Sequence, residues 1–458
     1  VAEPQPPVDT TFKDYGVNPP IDPLRDRLST FALDVDSASY AIARKYVKDG
    51  ILPPYEAVRA EEFINYFAQD YTPPTNGGFA VYADGAPSPF RSNSTMLRVG
   101  VQGYRVPESQ RKNASLTFVI DISGSMNREN RLGLVKRSLE LLVSRLDRGD
   151  SVSIVVYGDS ARVHLPPTNG ADKTRILNAI YQLQSEGSTN TEAGMRLGYQ
   201  MAAESYIRDG INRVILCSDG VANVGNTEPV SLINNARGQA PEDVTLTTIG
   251  FGMDNFNDVL MEQMADKGNG FYAYIDDIDE ARTMFLDRLT NSLQVIARDA
   301  KVQVEFNPDV VASYRLIGYE NRAVADQDFR NNAVDAGELN SGHNSTAIYD
   351  VQLRPGARGQ VARVFLRWQD ADTRAIREIA GDVNTWDIAT SFAQASPRYR
   401  MNVVVAEYAE ILRRSPYTNT SWRQLNAEAY ALTRELGGDP DVIEFAELVN
   451  AASRLGGE

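Results

Sequence analysis

The sequence predicts an α/β protein: a doubly wound, Rossmann-like parallel sheet inserted in a β-sandwich, with helices at its start and end. Three observations carry this expectation. Between residues 113 and 298, short apolar runs alternate with helical stripes, the order that a doubly wound sheet requires. On either side, at 77–112 and 299–372, the hydrophobic period drops to two, as it does in half-buried strands. From 373 to 458 a helical period takes over.

Taken in order, residues 1–29 are proline-rich as far as Pro23 and are expected to form an irregular arm. The segment 30–76 opens with a strand, Ser29 to Leu33. A helix through Ala41, Ile42, Tyr46 and Val47 follows, with Ser37 or Asp36 as its N-cap, and then a second helix over 54–67. Asp34-x-Asp36 also resembles the opening of a haloacid-dehalogenase phosphatase site. No partner lysine or further acidic pair follows it, and a helix start accounts for Asp36 without that chemistry.

Phe79, Val81, Leu97, Val99 and Val101 alternate as strand residues on either side of a Pro/Ser/Asn-rich stretch. Two strands lack the neighbours to be stable alone. The later ones, around Val302–Phe306, Tyr314–Leu316, Ala347–Leu353 and Ala362–Trp368, need a partner layer. Both sets are therefore expected to form one sandwich that the 113–298 domain interrupts.

Within the insert, Leu116–Ile120, Ser151–Tyr157, Val214–Cys217 and Val244–Ile249 read as buried strands. Ala161–Leu165 reads as a short edge strand before Pro166 and Pro167. The insert is expected to close with a helix through Ala281, Phe285, Leu289, Leu293 and Ile296. Asp276, Asp277, Asp279 and Glu280 lie at its amino end, where acidic residues suit the helix dipole. Residues 375–458 carry three apolar stripes, the last opened by Asp439 as N-cap and Pro440 at the first helical position.

Asp121-Ile-Ser123-Gly-Ser125 follows the first of the buried strands, so an aspartate and two hydroxyls sit at alternate residues as that strand ends. Hard oxygen donors of this kind suit Mg²⁺. Ser188-Thr189-Asn190-Thr191 forms a hydroxyl-rich turn before a helical pattern, and Ser218-Asp219-Gly220 follows the strand ending at Cys217. The carboxyl ends of the strands in an open α/β sheet are where ligands bind. This set closely resembles the metal-ion-dependent adhesion site of the von Willebrand factor A domain. Carried over by motif, Asp121, Ser123 and Ser125 match its first loop, Thr189 its second and Asp219 its third, with Thr191 a rival for Thr189. The resemblance implies Mg²⁺, with Mn²⁺ or Ca²⁺ as alternatives, and a protein partner whose Asp or Glu completes the coordination. Phe31–Tyr40, Arg59–Phe67 and Tyr314–Arg322 are similar to signatures of the bacterial YfbK-type proteins, which flank their A domain with characteristic segments.

Composition sets bounds on function. With 61 acidic against 46 basic residues the chain carries a net charge of −15, which argues against nucleic acid and gives no support to binding an anionic membrane surface. Cys217 is the only cysteine, so no intrachain disulfide can form. No apolar run is long enough to span a membrane. The Pro-rich start at Val1 is expected to be a processed or trimmed end leading into a flexible tether. YfbK-type proteins are commonly exported or lipid-anchored, so an extracytoplasmic, periplasmic or cell-surface location is expected.

The expected function is a non-enzymatic adhesion or scaffold module. The alternatives are a structural envelope protein whose ion stiffens the loops and a Mg²⁺-dependent phosphotransfer enzyme. The two histidines, His164 and His343, lie near no serine motif, and no P-loop sequence is present, so hydrolase and nucleotide-binding readings fall away.

Overall fold

The computed structural model describes residues 11–33, 36–75, 77–220, 229–238, 240–252, 256–288, 294–334 and 336–457. They divide into two compact units, 14–105 with the chain from 295 onward, and 11–13 with 106–294.

The first unit begins with β1 (Leu28–Ala32), α1 (Ala38–Lys48), α2 (Ala60–Tyr66), β2 (Phe79–Pro87) and β3 (Thr95–Gly103). The second helix is shorter than the spacing suggests. A 3-10 turn at Tyr55–Ala57 precedes it, and extended Val58 and Arg59 separate the two. Ser37 is the N-cap of α1 but makes no side-chain cap, and Asp36 turns away to pair with Arg322 at 3.0 Å. A buried acid from the neighbouring helix caps α1 instead: Glu62 Oε2 accepts the Ser39 amide at 2.8 Å. Asp34 lies outside the described residues.

The second unit holds a six-stranded sheet in the order β6-β5-β4-β7-β8-β9. Its strands are β4 (Ala114–Asp121), β5 (Ser151–Tyr157), β6 (Ala161–Asn169), β7 (Ile211–Ser218), β8 (Thr245–Phe251) and β9 (Tyr272–Ile275). All pair in parallel except β6, which runs antiparallel at the edge. That edge strand continues through Pro166 and Pro167, which an edge tolerates because its outer amides need no partner. The helices are α3 (Arg131–Arg145), α4 (Lys173–Tyr181), α5 (Thr191–Glu204), α6 (Pro229–Arg237), α7 (Asp258–Lys267) and α8 (Ile278–Arg282). Helices α5, α6 and α7 pack in succession, while α3 packs with α4 and α8, so the winding is double. The closing helix departs from expectation. After α8 the chain continues as a π-helical stretch, Thr283–Arg288, and Ile296 already belongs to a strand. Leu289 and Leu293 lie outside the described residues.

The first unit resumes with β10 (Val295–Phe306), β11 (Val311–Ile317), β12 (Gly337–Asn340), β13 (Asn344–Leu353), β14 (Gln360–Asp370) and β15 (Ile376–Asn384). One sheet runs β1-β10-β14-β15 with β12 also paired to β10, and the other runs β11-β13-β3-β2. Strands from before and after the insert are therefore hydrogen-bonded neighbours: Phe31 faces Val302, and Val99 faces Ala347. Their inner faces bury Phe31, Val99, Val302, Val304, Phe306, Tyr314, Tyr349 and Leu366 in one core. The second unit is thus inserted, in sequence, between two halves of a sandwich.

Residues 376–384 correct the expectation of an all-helical end. They form β15, an edge strand whose outward residues are exposed, so its apolar signal is weak. Helices α9 (Pro397–Leu412), α10 (Trp422–Glu435) and α11 (Pro440–Leu455) then follow, and Asp439 caps the last by accepting the Asp441 amide. They join α1 and α2 in a second core, with Met96, Ile317 and Ile348 from the sandwich. Helix α9 is buried nearly all round, including Arg400, Asn402, Glu407 and Glu410.

Candidate metal centre

Strand β4 lies at the centre of the second unit's sheet, with β5 on one side and β7 on the other. This is the switch point where loops diverge to opposite faces and leave a crevice at the strand ends. Asp121 ends β4, Tyr157 faces it across the pair as the last residue of β5, and Ser218 ends β7 just before Asp219. Four buried polar side chains therefore share one rim for reasons of register alone.

The first loop is shaped by its own aspartate. Asp121 Oδ1 accepts the Ser123 amide at 2.8 Å, a local turn that brings the Ser123 and Ser125 hydroxyls to 3.0 Å from each other. Asp121 Oδ2 accepts the Ser218 hydroxyl at 3.0 Å, which ties the first loop to the third. The second loop is fastened to the first by the Glu186 amide on the Ile122 carbonyl, the Gly124 amide on the Gly187 carbonyl and the Ser185 hydroxyl on the Ser123 carbonyl. Gly187 sits at φ +78, and a Cβ there would come within 2.9 Å of Asp159, so the turn requires glycine. Thr189 is buried in this turn, ahead of the Asn190 cap. Thr191 is the first residue of α5, and its hydroxyl faces the Tyr157 phenol.

Electrostatics single out the two carboxylates. Burial pushes the Asp121 pKa up to about 7, the Asp219 charge adds to the rise, and the bonds from Ser123 and Ser218 offset only part of it. Burial also raises the Asp219 pKa, against the pull of Ser125 and Arg131. Arg131 reaches Asp219 Oδ2 at 3.0 Å, yet Oδ1 of the same carboxylate is buried with no hydrogen-bond partner among the described residues. An orphaned buried carboxylate oxygen is costly unless something cationic is to be bound there. The donors fit a hard divalent ion: two carboxylates and a pair of adjacent hydroxyls, all oxygen. Among the described residues no group of three or more His, Cys, Asp or Glu side chains converges, so protein charge at this rim stays low.

The sequence did not announce Arg131, Ser218 or Tyr157 as parts of the site. Ser218 could have been suspected from its place beside Asp219, and Tyr157 from its register with Asp121. Nothing marked Arg131. Cys217 is buried in β7, where burial pushes its thiol pKa up and leaves it inert.

Residues 115–292 match the family described as von Willebrand factor type A domain, and 7–98 match one described as von Willebrand factor. Residues 291–360 match the C-terminal family of uncharacterized protein YfbK. Uncharacterized protein YfbK of Escherichia coli (strain K12) is 35% identical over 470 residues, which cover 96% of this chain and 80% of that protein. The chain belongs to the YfbK family. Human inter-alpha-trypsin inhibitor heavy chain H3 is 27% identical over 190 residues, covering 39% of this chain and 21% of that one. Among solved structures, a von Willebrand factor type A protein from Catenulispora acidiphila is similar with a TM-score of 0.43 and 16% identity, covering 73% of this chain and 79% of its own.

The YfbK signature segments have a structural role here. Tyr314–Arg322 meets the other two: Arg322 pairs with Asp36, the Tyr319 hydroxyl accepts from the Asn65 amide group, and a Cβ on Gly318 would run into Glu61. The signatures therefore mark the join between the sandwich and its helices. Type A domains typically mediate protein interactions and commonly bind a divalent metal. No helix among the described residues is long and apolar enough to cross a membrane.

Proposed function

We propose that this YfbK-family protein is a metal-ion-dependent protein-binding module of the bacterial cell envelope and has no catalytic role. Asp121, Ser123, Ser125, Thr189 and Asp219 hold a divalent ion, Mg²⁺ by preference with Mn²⁺ or Ca²⁺ as alternatives. The ion in turn captures an Asp or Glu of a partner protein. The observation that carries this reading is the pair of buried, under-compensated carboxylates at the ends of β4 and β7, one with an oxygen that has no hydrogen-bond partner among the described residues. A site with two carboxylates and neutral hydroxyls leaves a bound ion short of ligands and attractive to one more carboxylate.

Support for the envelope location, with an upstream lipid anchor, is the family resemblance. Against phosphotransfer, no lysine or histidine contacts Asp121, Ser123 or Ser125 among the described residues. Capture of envelope proteins on immobilised protein, in Mg²⁺ and in EDTA, tests the proposal. Retention that vanishes in EDTA, returns with Mg²⁺ and is absent from Asp121→Ala supports it. Retention indifferent to EDTA refutes it, and turnover of a generic phosphate ester would restore the enzymatic alternative.

A further inference from the structure

Arg131 is the first residue of α3, reached from the Ser125 loop through the 3-10 stretch Gly124–Asn130. Its guanidinium is buried, and so is the Asp219 carboxylate that it meets. The seat is built for it. Gly252, at the end of β8, lies at φ +89, and a Cβ there would fall 2.0 Å from the Arg131 Nε, so the arginine passes flat against the glycine backbone. Of the Asp219 oxygens the guanidinium takes only Oδ2, and Oδ1 keeps no hydrogen-bond partner among the described residues. One carboxylate thus serves a protein cation with one oxygen and offers the other.

We propose that Arg131 is a resident counter-cation that competes with the divalent ion for Asp219 and keeps that ion loosely held. The inference rests on the metal-binding reading above and adds a determinant of its affinity. Asp121, Asp219 and Arg131 together carry one net negative charge, and a divalent ion turns that into one net positive charge in a buried place. Like charges so close repel strongly where water is excluded. The loaded site is therefore left with a charge that an acidic partner can neutralise, and ion and partner each bind more tightly in the presence of the other.

The test is a calorimetric titration of the full chain with Mn²⁺, accompanied by melting curves in EDTA and in Mn²⁺. Arg131→Met keeps the stem against Gly252 without the charge, Arg131→Gln keeps a donor for Oδ2, and Arg131→Lys keeps the charge. Both neutral variants should bind Mn²⁺ about tenfold or more tightly than wild type. Both should melt lower in EDTA and gain more from Mn²⁺, while Arg131→Lys stays near wild type. If one neutral variant does not fold without the ion, the other and the Mn²⁺-induced melting shift still decide. Unchanged or weaker Mn²⁺ binding in a folded neutral variant overturns the competition and leaves Arg131 a merely structural residue. A wild type that binds no Mn²⁺ overturns the metal-binding reading itself. A wild type that binds it and loses it in Asp219→Asn, with Arg131→Met and Arg131→Gln unaltered, overturns this inference alone.

Discussion

Each unit buries a carboxylate completely, and the two are treated in opposite ways. In the first unit, burial alone would raise Glu410, but Arg413 and Arg315 hold its pKa down to about 2. Arg315 meets it at 2.8 Å, Ser415 donates to it, and Arg413 pairs with it and with Glu320. In the second unit, burial lifts Asp121 to about 7, because its nearest charged neighbour is another acid and its donors are an amide and a hydroxyl. Glu410 is a finished interaction that holds helix α9 to β11. Asp121 is unfinished, and a buried acid left in that state marks a place where a ligand is expected.

The contrast can be broken from either side. The largest expected effect is at Glu410. Glu410→Gln leaves the buried Arg315 without a carboxylate and Arg413 with Glu320 alone, and should cost about 3–5 kcal/mol in denaturant unfolding. The sign with pH is that of a depressed acid. Its contribution is whole above the unfolded value near 4.5 and is lost as pH falls towards about 2.

Asp121 should behave in reverse. Asn can keep the Ser123 amide and the Ser218 hydroxyl as partners while removing the charge. Without divalent ions, Asp121→Asn should therefore gain about 2–4 kcal/mol over wild type at pH 8 and nothing at pH 4. Because its folded pKa lies above the unfolded value near 3.8, wild-type stability in EDTA falls as pH rises from there through about 7. Chemical denaturation of both proteins across that range measures it, and a variant that is less stable at pH 8 would mean Asp121 is already satisfied.

A smaller effect is expected at Gly194 on α5, where a Cβ would come 2.6 Å from the Tyr157 ring. Gly194→Ala should cost about 1–3 kcal/mol in the same assay by overpacking that face. The smallest effect on stability separates the two threonines. Thr189→Ala should weaken Mn²⁺ binding with little change in melting temperature, whereas Thr191→Ala, which touches Tyr157 and the helix start, should leave Mn²⁺ affinity near wild type. Calorimetry on both variants checks this.

The fold was readable wherever burial was one-sided or complete. The strands around Val119, Leu216 and Ile249 are buried throughout and carry apolar runs such as Phe118–Ile120 and Val214–Cys217, and the sandwich strands alternate cleanly, so both kinds of sheet could be recognised. Strand β15 escaped because an edge strand facing solvent carries charges, and Glu378 serves Arg330 and Arg367 there. The expected stripe on α9 was only part of the story. Its polar residues are buried too, because each finds an ion pair or hydrogen bond across the core, as Glu407 does with Arg91 and Asn402 with Gln69. At the rim, Asp121 and Asp219 could be found because each directly follows or ends an apolar strand. Arg131 could not, since an arginine opening a helix looks like any solvent-facing residue until tertiary packing places Gly252 beside it.

The central claim is that the rim of the second unit is an incomplete carboxylate site that a divalent ion finishes. Calorimetric titration of the full chain with Mn²⁺ at pH 8 and pH 6, beside Asp121→Ala, tests it most directly. The expected result is one saturable site in wild type, clearly weaker at pH 6 as protons compete for Asp121, and no binding in folded Asp121→Ala. Absence of binding at pH 8, or equal affinity in Asp121→Ala, would contradict it.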